Sequence, residues 1–160
     1  MKNLILFLSI TIASGLLITN VYNSMIDARS WGSNIPTSIE TTRAYFKEVN
    51  PGNFYRVFSP INQILGLLVV ILFWKTFPSV RLYLGVAFIM YLMADAITFK
   101  YFYPRNEIMF KTTSLADVEI LKTAWQQWSN MNWVRSLILL IGIAFSWLSL
   151  HKIYIGNTVS

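Results

Sequence analysis

The chain has 160 residues, 55% hydrophobic and 16% aromatic with only 12% charged, too apolar for an ordinary soluble domain. With no cysteine there is no disulfide, thiolate metal site, iron–sulfur cluster or cysteine nucleophile, and a single histidine, His151, rules out histidine pairs within one chain. The formal charge of +6 is spread along the chain rather than gathered in one patch, so it calls for no nucleic-acid partner.

Four apolar runs each approach the roughly 20 residues that a helix rising about 1.5 Å per residue needs to cross about 30 Å of hydrocarbon. They predict an all-α membrane protein: one domain over residues 1–160, a four-transmembrane-helix bundle with two longer loops carrying short surface helices on one side. The first run, Leu4–Ile26, opens like a signal peptide in "MKNLILFLSITIASG", but it continues through "LLITNVY" to spanning length, which favours a retained helix. A long, aromatic and basic loop follows, Asp27–Arg56, with a surface helix expected at Ser38–Val49 behind a serine N-cap. The second crossing is expected at Val57–Trp74, with Pro60 in its first turn, and the third at Leu82–Phe102 after the short linker Lys75–Arg81. Tyr103–Asn132 then carries a second surface helix, Ser114–Trp128, before the last crossing at Trp133–Leu150.

The side holding both termini carries Lys2, Lys75, Arg81 and Lys152 in little sequence and without an acid. The looped side has more basic residues (Arg29, Arg43, Lys47, Arg56, Arg105, Lys111, Lys122), mixed with acids over far longer segments. The short-segment excess places the termini on the cytoplasmic side of the cytoplasmic (inner) membrane of a bacterium, with the lipid bilayer as first partner.

Polar residues collect in the halves of the runs nearest the loops. Asn20, Asn23 and Asp27 share one helical face of the first; Ser59, Asn62 and Gly66 repeat that spacing in the second; Asp95 and Thr98 share a face of the third with Phe102, near Lys100. If the second surface helix runs on into the fourth crossing, Trp125, Trp128, Asn132 and Arg135 form one stripe at steps of three, four and three. Each unsatisfied polar group costs several kcal/mol in lipid, so the stripes are expected to face one another. Asp95 and Arg135 cost about 2.5–3.5 kcal/mol each near a helix centre and are predicted to pair directly, either as a staple or as a functional pair. Trp31, Trp74, Trp133 and Trp147 read first as membrane anchors, whereas pocket lining and belt anchoring stand level for Trp125 and Trp128. Asn20 and Asn62 taken singly read as helix glue, Met90 and Met93 as packing, and His151 beside Lys152 as an edge residue.

There is no HExxH, GxSxG or glycine-rich phosphate loop, which leaves hydrolytic and phosphoryl chemistry without equipment. The remaining acid–base groups are Asp95, Arg135, Asp27 and Lys100, with Tyr22, Tyr91, Tyr101 and Tyr103. Among aromatic rings they suit a flat, apolar ligand with one or two oxygens, an aromatic, quinone or lipid.

"YPRNE" (Tyr103–Glu107), followed by "WQQWSNMNWVR" (Trp125–Arg135), resembles the anthrone oxygenase-like family of small four-helix membrane proteins, a domain of unknown function (DUF1772). Pro104, Asn106, Trp125, Trp128, Asn132, Val134 and Arg135 fit that family's second-half pattern; "SGLLITNVYNSMID" and "NPGNFYRVFSP" are similar more loosely. Fungal relatives are associated with oxidising anthrones to anthraquinones with molecular oxygen and no recognised metal or flavin, so the resemblance implies an oxidoreductase without a cofactor. If that reaction carries over, Asp95 is the candidate base, Arg135 with Asn132 and Asn106 the partners of the enolate oxygen, and Trp125 and Trp128 the stacking walls; Asn23 and Asn62, from the polar stripes, are candidate ligand contacts. A non-catalytic lipid- or quinone-binding protein, or a small accessory subunit with membrane-protein partners, is the reading from another class; transport is weaker, since no internal repeat appears.

Overall fold

A computed structural model describes residues 1–111 and 117–158, with side chains to Gly156. The described residues form helices without strands, and four of these are long and apolar enough to cross a membrane: α1 (Lys2–Gly32), α3 (Pro51–Trp74), α4 (Pro78–Lys111) and α5 (Val118–Thr158); the shorter α2 (Thr37–Tyr45) follows α1. Sequential long helices pack side by side, α1 on α3, α3 on α4 and α4 on α5, and α5 returns to α1, closing an up-and-down ring.

The helices depart from the expected bounds: α1 runs on to Gly32 and α4 spans Pro78–Lys111, both beyond the expected crossings, and three further differences have local causes. The second long helix begins at Pro51, six residues early, because "NPGN" is a start signal: Asn50 Oδ1 accepts from the Gly52 amide at 2.9 Å, the Asn53 side chain accepts from the Asn50 amide at 3.2 Å, and proline occupies the first turn. Pro60 therefore lies inside the helix and not in its first turn. Ser38 does not cap α2; the helix starts at Thr37, and the Ser38 hydroxyl donates to the Trp31 carbonyl. The second surface helix is not separate, since its described part, from Val118, is the beginning of one unbroken 41-residue α5, and Ser114 lies outside the described residues. Nothing between Val118 and the last crossing breaks a helix: there is no proline, and glycine first appears at Gly142.

The interior is layered. Beside the termini, Leu6, Ile10, Val69, Phe73, Val80, Leu84 and Ile153 form an apolar cluster; a second contains Ala13, Leu16, Ala87, Tyr91, Leu139 and Ile143. Tyr91 is held tightly there, because a Cβ on Gly142 would meet its ring at 2.6 Å, while its hydroxyl lies 3.0 Å from Ser146 Oγ. At the looped end Ala28, Trp31, Ile39, Phe102, Met109, Ala124 and Trp128 make a third, aromatic cluster. Between the second and third sits a layer of buried polar side chains: Asn20, Asn23, Ser24, Asn62, Asn132 and Arg135. π-helical turns occur at that height in α1 (Asn23–Asp27) and α4 (Thr98–Phe102), a distortion common at functional sites because it redirects side chains without ending the helix.

Candidate functional site

The polar stripes do meet. Arg135, 5% exposed, reaches from α5 into the layer: its Nη2 donates to Asn20 Oδ1 and to Asn132 Oδ1, both at 2.6 Å, and its Nη1 donates to Thr98 Oγ1 at 3.1 Å. Its guanidinium carbon lies 4.2 Å from the centre of the Phe102 ring and 5.2 Å from that of Tyr55. Asn132 is fully buried and fixes this arrangement from behind, its Nδ2 donating to the Asn20 carbonyl at 2.8 Å and to Ser24 Oγ at 2.7 Å. The Tyr55 hydroxyl donates to Asn20 Oδ1 at 2.7 Å and accepts from Asn23 Nδ2 at 3.0 Å; turning the Asn23 amide over would instead give its nitrogen to the Asp27 carboxylate at 2.9 Å and its oxygen to Tyr55. One hydrogen-bonded network thus runs from Asn23 through Tyr55 and Asn20 to Arg135.

The predicted direct Asp95–Arg135 ion pair is absent. Asp95 Oδ2 accepts from Gln63 Nε2 at 2.9 Å, and the same nitrogen reaches the Tyr91 carbonyl at 3.0 Å. Arg135 is turned away toward α1, whose Asn20 supplies a backbone and a side-chain acceptor to the α5 pair. All three of its hydrogen-bond acceptors are neutral, so its charge is solvated by dipoles and rings without a direct carboxylate partner.

Both charged groups nevertheless line one chamber of about 10 Å³, together with Leu16, Asn20, Ser59 and Asn62. Its walls on α1 and α5 are buried, including Leu16, Asn20, Arg135 and Leu139, whereas Tyr55 and Ser59 on α3 and Asp95 and Thr98 on α4 are half-exposed. The partly exposed lining residues thus lie on the α3 and α4 side of the chamber. Toward the loops it is roofed by the aromatic cluster, where Trp128 packs edge-on against Trp31 and Phe102 at ring separations of 4.9 and 5.3 Å.

No family model, curated protein or solved structure matches the chain. What the site can do is thus argued from the chamber's own chemistry. A buried cation beside a half-exposed carboxylate favours an anionic or strongly polarised oxygen.

Of the residues singled out by sequence, Asp95, Arg135 and Asn62 line the chamber. Asn132 and Asn23 stand behind it as hydrogen-bond supports. Trp125 and Trp128 are not chamber walls: the Trp125 indole donates to the Ala28 carbonyl at 2.6 Å, and Trp128 is buried in the roof. Their stripe with Asn132 and Arg135 is one face of one helix, but ten residues of α-helix rise about 15 Å, so its two ends serve different layers. Asn106 falls in the short helical turn Tyr103–Asn106 beyond the π-turn and is absent from both the lining and the partners of Arg135. Trp31 turns inward, while Trp74, Trp133 and Trp147 face out as anchors would. Sequence reasoning missed Tyr55 and Gln63. Tyr55 precedes the expected start of the second crossing and so read as loop; Gln63 is adjacent to Asn62, off the stripe drawn through Ser59 and Gly66.

Proposed function

We propose that the chain is an integral membrane protein of the bacterial cytoplasmic membrane, its termini inside, that engages the oxygen of a flat apolar molecule entering from the lipid between α3 and α4. As in the family it resembles, the reaction is cofactor-independent oxidation of an aromatic or quinone-like substrate. The observation that carries this reading is Arg135: a guanidinium buried among neutral acceptors holds a positive field ready for charge that develops on a substrate oxygen. Asp95, bonded to neutral Gln63 and free of a direct ion pair, is placed to take a carbon-bound proton. Deprotonated anthrone is an electron-rich enolate that gives electrons to dioxygen directly; overall, anthrone and one dioxygen yield anthraquinone and one water. The chamber admits an oxygen atom and not a ring system, so the rings lie in the groove outside it, and Asn132 acts through the guanidinium it orients.

The small chamber also favours a second reading, a non-catalytic protein that binds a quinone or lipid oxygen, alone or as an accessory subunit of a larger membrane complex. Protein in lipid vesicles, incubated with an anthrone in air and followed by quinone absorbance, separates the two. Oxidation above the spontaneous rate, lost in Asp95→Asn, supports the enzyme. Binding without turnover supports the second reading, and neither binding nor turnover removes both.

A further inference from the structure

Two residues that line the chamber carry a buried polar atom without a partner among the described residues: Nε of Arg135 and Oδ1 of Asn62, whose residue is 1% exposed. One is a donor and the other an acceptor. Asp95, which also lines the chamber, adds a second acceptor there, its Oδ2 engaged by Gln63. About 10 Å³ is close to the room a single water needs, and a buried water commonly makes about three hydrogen bonds.

We infer that Arg135, Asn62 and Asp95 hold one water that separates the two charges, and that the oxygen of a bound ligand replaces it. The water accepts from Arg135 Nε and gives one proton to Asn62 Oδ1 and the other to Asp95. The expected ion pair is thereby present in solvent-separated form. The second half of the inference rests on the proposed ligand-binding role, and it narrows the ligand. A hydroxyl oxygen reproduces both the bond from Arg135 and a bond to Asp95, whereas an ether or carbonyl oxygen only accepts and meets the carboxylate with a lone pair. Phenolic or enolic compounds are therefore preferred to their capped forms, and Asp95 is the residue that tells them apart.

The test pairs an experimental density map of the protein in lipid nanodiscs, at a resolution that shows water, with calorimetric titration of 1-naphthol and 1-methoxynaphthalene against empty nanodiscs. The expected map has one oxygen peak within hydrogen-bond reach of Arg135 Nε and Asn62. The expected titration favours 1-naphthol by about tenfold or more, a preference lost in Asp95→Asn, which keeps an oxygen on Gln63 and turns an amide donor to the ligand. A dry chamber, or Arg135 Nε turned directly onto Asp95, overturns the hydration site. If both probes bind equally, the replacement claim is wrong while the ligand-binding role stands. If the peak is present and neither probe binds, the ligand-binding role fails and the water site remains.

Discussion

The end of the bundle that holds the termini and the layer beneath the aromatic roof are built from the same four helices, yet they differ in how many buried polar side chains bond across helices. At the terminal end a buried serine stays within its own helix, as Ser149 does in donating to the Phe145 carbonyl at 2.9 Å. In the polar layer the bonds cross between helices: Asn132 to Asn20 and Ser24, Arg135 to Asn20 and Thr98, Tyr55 to Asn20, and Gln63 to Asp95. Apolar packing in lipid gives little preference for the height at which helices meet, because one leucine row fits many registers. Directed bonds between different helices choose one register. The polar layer therefore sets how the bundle is assembled, and the terminal end follows.

The comparison is tested most severely where the roof closes the layer. Trp128→Ala removes a buried ring packed on Trp31 and Phe102 and should destabilise the protein by about 3–5 kcal/mol, while Trp133→Ala, an outward ring on the same helix, should change stability by about 0.5 kcal/mol or less. Equilibrium unfolding in mixed micelles measures both. Equal losses would mean that the roof is not a packed element. Next in size is Asn132→Leu. It leaves Arg135 with one acceptor fewer and the Asn20 carbonyl and Ser24 without this donor, an expected cost of about 2–3 kcal/mol. Ser149→Ala, in the terminal half of α5, should cost about 0.5 kcal/mol or less, since its bond is local.

A smaller effect probes the apolar layer just below. Gly142→Ala would place a Cβ 2.6 Å from the Tyr91 ring, which is itself anchored at Ser146, so the ring must move at a cost of about 1–3 kcal/mol. Gly15→Ala meets nothing within 4 Å and should be neutral or stabilising by up to about 1 kcal/mol through helix propensity. A thermal-melt series that ranks the two the other way would show that Tyr91 is not fixed in its slot.

Much of this was readable from residue order. Four runs of about 20 apolar residues gave the four long helices, and the Asn20–Asn23–Asp27 spacing announced the inward face of α1. The Trp125-to-Arg135 stripe required a continuous helix, and α5 is continuous. What periodicity could not supply was partner choice and height. Arg135 has Asp95 opposite it but bonds to Asn20, because a neutral amide is a far less costly companion to bury than a second charge. The start of α3 was hidden because hydropathy weighs residues one by one, whereas "NPGN" works through capping geometry, and that misplacement carried Tyr55 out of view. Trp125 and Trp128 were assigned to the chamber because a helical stripe records angle and not rise.

Asp95→Asn should have the smallest structural effect and the sharpest functional one. Its Oδ2 accepts one hydrogen bond from Gln63, which an asparagine oxygen can also accept, and the side chain is half-exposed, so the expected change in stability is below about 1 kcal/mol. A carboxamide has no useful basicity, so if the proposed reaction is the protein's, any catalysed anthrone oxidation should disappear while binding of the apolar probe persists. A staple residue would behave in the opposite way, losing stability and binding together. Measured side by side in vesicles, the melting temperature, ligand affinity and oxidation rate of this one variant decide whether the half-exposed carboxylate in the α3–α4 groove is there for the fold or for the chemistry.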